Sequence, residues 1–254
     1  MKTICIVNHK GGVGKTATAL AVAEGLSRRG KETLLIDLDP QCNASDSLNW
    51  TSSEDGSDEV AMDATSLFVS SSIDLNLIIK SESLHVIPAV NSLAMTEKKL
   101  TSYDSFTTHL NALATSLNFC IIDTPPALNN LTLSALSACD YVLIPAHSDV
   151  YSLNGIKQLK ETLNAVKESN KRLQVLGIVF THFEPRLVLS RLIESNFNEV
   201  AESLNSSIFK TRIRKAQAIP EAATTQTSIY EYAPKSSVVQ DYEDLIDEII
   251  ERIK

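Results

Sequence analysis

The sequence predicts an α/β fold, doubly wound, with a mostly parallel sheet flanked by helices, on three grounds. Strand patterns at Thr3 to Asn8, Thr33 to Asp37, Leu84 to Pro88, Phe119 to Asp123, Tyr141 to Pro145 and Val175 to Thr181 alternate with helical segments. The runs are apolar without strict alternation, the pattern of strands covered on both faces. A glycine-rich loop and three aspartates follow the runs at their carboxyl ends, where open α/β sheets hold ligands. With 254 residues and 43% hydrophobic content, a single domain over residues 1–254 has ample material for a core.

The first run, Ile4 to Val7, feeds Lys10-Gly11-Gly12-Val13-Gly14-Lys15-Thr16, and a helical pattern with Leu20, Val22, Ala23 and Leu26 follows. Strand, glycine loop and helix in that order make a phosphate-binding loop. The glycines let successive N–H groups converge on phosphate oxygens, and the helix points its positive dipole end at the same charge. Gly11, Gly12, Val13, Gly14, Lys15, Thr16 and Ala17 are therefore the expected cofactor-binding segment. Within it Lys15 reaches the β- and γ-phosphates and Thr16 offers its hydroxyl to Mg²⁺. Lys10 is surplus to an ordinary loop: it either adds phosphate attraction, serves a site elsewhere, or is a solvated lysine.

The second run ends in Asp37-Leu38-Asp39-Pro40-Gln41, and side chains two apart on a strand share a face, so both carboxylates can look toward the loop. Asp37 is expected to support the Mg²⁺ shell. A polar stretch, Thr51 to Asp63, reads as a surface insertion within the domain. The Phe119 to Ile122 run closes on Asp123-Thr124-Pro125-Pro126, a Walker-B-like carboxylate for Mg²⁺ or its waters. The two prolines fix that loop and delay the next helix until about Asn129. The competing reading of each aspartate is a turn former.

With 31 acidic against 23 basic residues and a formal charge of −8, the chain lacks the positive field of a dedicated nucleic-acid binder. The four cysteines, Cys5, Cys42, Cys120 and Cys139, are scattered and read as ordinary reduced thiols. No charged-then-apolar leader precedes the first strand and no 18 apolar residues run together, which predicts a cytosolic protein. At the other end, Val238 to Lys254 carries an apolar stripe at helical spacing beside six acidic residues. Anionic lipid headgroups would repel those acids, so the stripe is read as core.

The motif KGGVGKT followed by LLIDLDPQ resembles the deviant-Walker-A ATPases of the ParA/MinD group, and most of all the ParA/Soj partitioning proteins. Leu84 to Leu100, Phe209-Lys210-Thr211 and Ile229 to Ser236 extend the resemblance over nearly the whole chain. It implies a homodimer sandwiching two ATP–Mg²⁺, with Lys10 crossing the interface to the phosphates bound by the other subunit. Asp39 is implied to position or activate the attacking water. The base is implied to lie against Thr181 and His182 and against Pro220 and Glu221, although His182 also reads as an ordinary exposed side chain. Arg186 matches a family arginine implicated in non-specific DNA contact. A second such position is Ala218 here, with Arg214 or Lys215 nearby to compensate, and a solvated charged face at 186–191 is the alternative. The implied activity is slow ATP hydrolysis stimulated by a ParB-like partner, partitioning plasmid or chromosomal DNA, in a cytoplasmic protein that is nucleoid-associated when ATP-bound and has no stable membrane insertion. The rival reading is a positioning ATPase for a protein complex or membrane-associated cargo with little DNA binding.

Overall fold

The computed structural model describes residues 1–49, 62–70, 78–81, 83–184 and 190–253. The polar stretch at 51–63, apart from its last two residues, and Arg186 lie outside them. The strands are Lys2–Ile6 (β1), Thr33–Asp37 (β2), Ile78–Ser81 (β3), Leu84–Ile87 (β4), Phe119–Asp123 (β5), Tyr141–Ala146 (β6), Gln174–Phe183 (β7) and Ile208–Arg214 (β8). They form one sheet in the order β3-β4-β2-β5-β1-β6-β7-β8. All pairs are parallel except β3 with β4. The helices are Lys15–Arg28 (α1), Asn43–Ser47 (α2), Ser66–Val69 (α3), Leu93–Lys99 (α4), Asp104–Leu113 (α5), Asn130–Ala138 (α6), Val150–Ser169 (α7), Ser190–Ser203 (α8), Ala218–Thr224 (α9), Ile229–Tyr232 (α10) and Ser237–Ile253 (α11).

Successive strand residues point to opposite faces, and the two faces carry separate cores. Cys5 and Val7 of the first strand segment join Phe106, Leu131, Leu159 and Phe197 from α5 to α8. Ile4 and Ile6 join Val22 and Leu26 of α1 with Tyr242 and Ile246 of α11. Each such side chain taken fully from water contributes about 1.5–3 kcal/mol. The four cysteines are buried free thiols, and α6 begins after Asn129, whose side chain caps it by accepting from Thr132 N at 3.1 Å.

Two strands were not among those expected. β8 reads IFKTRIR and buries only Phe209 and Ile213 fully, because it is an edge strand with one covered side. Its edge is blunted from α11: Glu248 accepts from Lys210 N and Thr211 N, and Arg252 donates to the carbonyls of Leu176 and Ile208. β3 is four residues long and antiparallel, too short to show a period.

The apolar stripe of α11 packs inward as expected: Val238, Tyr242, Leu245, Ile246 and Ile249 are buried, while Asp244, Asp247 and Glu251 face solvent. No described helix is long and apolar enough to cross a membrane. The α1–α11 contact is close at Gly25, where a Cβ would sit 2.3 Å from Ile246 Cδ1 and 2.5 Å from Tyr230 Oη. Gly25→Ala is therefore expected to destabilise the fold by about 1–3 kcal/mol through overpacking, despite the roughly 1 kcal/mol that alanine gains in helix propensity. Urea denaturation checks this, and a variant as stable as the parent would show that α1 and α11 can separate without cost.

Candidate active site

The ends of β1, β2, β5, β6 and β7 meet around the start of α1. Gly12 and Gly14 take φ of 74° and 76°, a region that costs a side-chain-bearing residue about 1–2 kcal/mol. Gly14 is the N-cap of α1 and has no side chain with which to cap it, so the first N–H groups of the helix are left for a ligand. Lys15 follows at 6% exposure, its ammonium donating to the Lys10 carbonyl at 3.1 Å. Burial lowers its pKa, and Asp123 and Asp39 partly restore it.

Asp37 and Asp123 are direct register partners across β2 and β5, and both are fully buried. Asp37 is satisfied from within. It accepts from Asp39 N and Ser45 N at 3.0 Å each and from Ser45 Oγ at 2.7 Å, while burial pushes its pKa up to about 6. Neither oxygen of Asp123 has a hydrogen-bond partner within distance among the described residues. Burial holds this carboxyl well above the usual range and the neighbouring Asp37 adds to the rise. The nearby Thr16 hydroxyl and Lys15 offset only part of it.

An unpartnered buried carboxylate beside a threonine hydroxyl fits Mg²⁺, which is usually held by one or two carboxylates, waters and substrate phosphates. Asp39 lies at 6% exposure on the cleft wall, its Oδ1 accepting from Gln41 N at 3.0 Å.

The cleft has a volume of about 730 Å³ and runs from Gly11, Gly12, Gly14, Lys15, Thr16, Ala17 and Asp39 to His182, Ile219 and Pro220. Of the four residues expected at the base, His182 and Pro220 line it. Thr181 acts behind the wall, sharing its hydroxyl between the carbonyls of Val13 at 2.9 Å and Ala146 at 3.3 Å, which fastens the loop to the end of β6. Val13 is buried beneath the loop, and Glu221 is exposed and accepts from Tyr232 Oη at 3.1 Å.

Lys10 turns away from the cleft. Its ammonium donates to Asp149 Oδ2 at 2.7 Å and Ser152 Oγ at 3.3 Å, with the exposed Tyr151 ring centroid 5.9 Å away. Asp149 is the N-cap of α7, accepting from Ser152 N at 2.7 Å. Burial pushes its carboxyl up, but Lys10 and the Ser152 amide bring it below the ordinary range. His147, Asp149 and Ser152 were missed in the sequence. The signal was present, since His147-Ser148-Asp149 follows β6 at its carboxyl end, as the other site residues follow theirs.

Of the expected DNA contacts, Arg214 makes a two-pronged pair with Asp241, both bonds 2.7 Å, and Lys215 stands 3.5 Å from Glu184 with both side chains largely exposed.

A phosphate-binding loop at the switch point of a doubly wound sheet, with a carboxylate prepared for a cation, defines a P-loop nucleotide-binding protein. Residues 1–175 match the family model described as AAA domain. The chain is 34% identical over 256 residues to the sporulation initiation inhibitor protein Soj of Bacillus subtilis, covering 98% of each chain. It is 31% identical over 260 residues to the chromosome-partitioning ATPase Soj of Thermus thermophilus, covering 100% of this chain and 97% of that one. Among solved structures it resembles cobyrinic acid a,c-diamide synthase from Mycobacterium smegmatis with bound ADP and magnesium, at a TM-score of 0.78 and 25% identity over 97% of this chain and 93% of that chain. The chain belongs to this AAA domain family and, within it, to the ParA/Soj group of partitioning ATPases.

The strain of Asp123 has a measurable sign. Its folded-state pKa is raised, so the stability associated with it is present below the unfolded value near 3.8 and is lost as pH rises toward the folded one. Asp123→Asn, which leaves Asp39 to compensate Lys15, is expected to raise the nucleotide-free Tm at pH 7.5 by ~2–10 °C and to flatten its pH dependence. Thermal melts across pH 4–8 check this.

Proposed function

We propose that the chain is an ATP-driven switch in which ATP–Mg²⁺ stabilises a sandwich homodimer that binds DNA without sequence preference, and hydrolysis stimulated by a ParB-like partner releases it. The carrying observation is the division of labour between two lysines. Lys15 is enclosed in the loop of its own chain, whereas Lys10 is half-buried beside the exposed Tyr151, held by Asp149 and Ser152 at the start of α7. A lysine so placed can serve phosphates presented by a second copy. The two Soj relatives, full-length matches above 30% identity, favour a partitioning role over the amide synthesis named for the structural neighbour.

The chemistry is transfer of the γ-phosphoryl group to water. Lys15, Lys10 and the loop amides stabilise charge on the transferring group. Thr16 and Asp123 would hold Mg²⁺, which supplies neutralisation of the phosphate oxygens when bound. Asp37, with both oxygens engaged, contributes by fixing the turn that presents Asp39, and Asp39 places the water. His182 and Pro220 contact the base, with Thr181 supporting the wall from behind and Glu221 at its outer rim. The cations assigned to DNA contact are Lys215 and Arg186, with Arg214 adding positive field from within its ion pair. The protein acts in the cytoplasm and on the nucleoid.

A second reading, a positioning ATPase for a protein complex, is favoured by the Arg214–Asp241 pair and the net charge of −8.

Lys15→Ala is expected to abolish ATP-dependent dimers in light scattering. Asp39→Ala is expected to bind ATP, accumulate as a dimer and lose about 10²-fold or more in turnover; wild-type turnover would remove it from the water-positioning role. Retention of sequence-unrelated DNA with ATP–Mg²⁺ but not ADP–Mg²⁺, weakened by salt and by Arg186→Glu, is expected of the partitioning switch. ATP-dependent dimers without any retention would decide for the second reading.

A further inference from the structure

A line of four side chains joins the base end of the cleft to Lys10. His182 Nδ1 and His147 Nε2 share a hydrogen bond at 2.8 Å. His147 Nδ1 stands 3.9 Å from Asp149 Oδ2, and the same Oδ2 accepts from Lys10 Nζ at 2.7 Å. Both ends of the line are anchored. His182 follows Thr181, whose hydroxyl fastens the loop, and takes a φ of 49°, uncommon for a residue with a Cβ. Asp149 is fixed by capping α7.

The 3.9 Å separation is too long for a hydrogen bond. In this arrangement the ring of His147 is held by its Nε2 bond to His182, which leaves Nδ1 short of Asp149, and Asp149 is committed to Lys10; freeing the ring from His182 lets Nδ1 close the gap. Building on the ATP-switch reading, we propose that His147 is a positioning residue for Lys10: when its bond to His182 breaks, it takes over Asp149 and releases Lys10 from its own chain. A base docking against His182, which lines the cleft, breaks that bond. A second proton on the pair does the same, since two imidazolium rings have no acceptor to share.

The direction of the proton effect follows from the surroundings. Among the described residues, His147 faces Lys10, Asp149, His182 and the Gly12 backbone. Burial, then the positive charge of His182 and Lys10, lowers its pKa against Asp149 and Gly12. His182 faces His147 and Lys215, itself 3.5 Å from Glu184, and is likewise lowered, first by burial and then by Lys215. With Lys10 parked, His147 is a weak base. With Lys10 gone and Asp149 free, it is a stronger one. Release therefore takes up a proton and is favoured as pH falls, by at most about tenfold per pH unit for one titrating group.

The test uses the whole chain in two arms. In nucleotide-free protein, NMR titration of the histidine Cε1–H signals is expected to show the His147 midpoint rising by about 0.5–1 pH unit in Lys10→Met; an unmoved midpoint overturns the coupling. At saturating ATP–Mg²⁺, the dimer dissociation constant is expected to fall about three- to tenfold between pH 8 and 6.5 in the wild type and to stay flat in His147→Gln. ATP-dependent dimers whose pH dependence survives His147→Gln overturn the relay alone. A wild type that forms no ATP-dependent dimer overturns the switch reading and the relay with it.

Discussion

The site depends on one constraint: β2 and β5 are paired in a register that sets Asp37 opposite Asp123, both fully buried. Leu34, Ile36, Cys120 and Ile122 pack into one core and Leu35 and Ile121 into the other, and a slip of one residue would exchange the two faces. Two like charges buried side by side cannot both be comfortable. The fold resolves the conflict unequally, giving Asp37 three hydrogen bonds and Asp123 none within distance among the described residues. The electrostatic deficit at Asp123 is thereby localised at the strand end beside Thr16 and Lys15. A cation arriving with phosphate meets it there, and the loop glycines leave the helix N–H groups uncapped for the phosphate itself.

The two oxygens of Asp149 have separate duties. Oδ1 accepts from Ser152 N and caps α7, while Oδ2 holds Lys10. Lys10 can therefore leave without fraying the helix, and the helix N-terminus, positive by its dipole, stabilises the carboxylate that remains. Asn8 contributes from below. Its Oδ1 accepts from Lys10 N at 3.0 Å and its Nδ2 donates to Pro145 O at 2.7 Å, so the backbone of Lys10 is fixed to β6 independently of its ammonium.

How far this was legible in the sequence follows from what each feature rests on. The loop, the strand-end aspartates and the late start of α6 are local in sequence and have a chemical or conformational reason at each position, so they could be read directly. β8 could not, because an edge strand covered on one side alternates apolar with charged residues and its partner groups come from α11, far away in the chain. The Lys10–Asp149 pair joins residues 139 apart, and no pattern short of the sheet order brings them together. Asp37 was readable as a site residue, but its commitment to Ser45 depends on how α2 folds back over the end of β2.

The same long-range logic bears on the basic residues near the C-terminus. Arg214 reads in sequence as one of several clustered cations, yet its guanidinium is spent on Asp241, which is only 7% exposed. That pair ties the end of β8 to the first turns of α11, where the backbone N–H of Arg214 also donates to Asp241 at 3.0 Å. Removing Arg214 would leave the largely buried Asp241 carboxylate without its partner, although the guanidinium itself is half exposed and solvent screens the pair. Arg214 is therefore first a structural residue, and its charge reaches a polyanion diminished by its partner. Lys215 is different: its contact with Glu184 is exposed on both sides and worth little. In the proposed DNA-binding reading, Lys215 is the cation of this region whose partner a phosphate backbone would displace, one residue beyond the cation that Asp241 already holds.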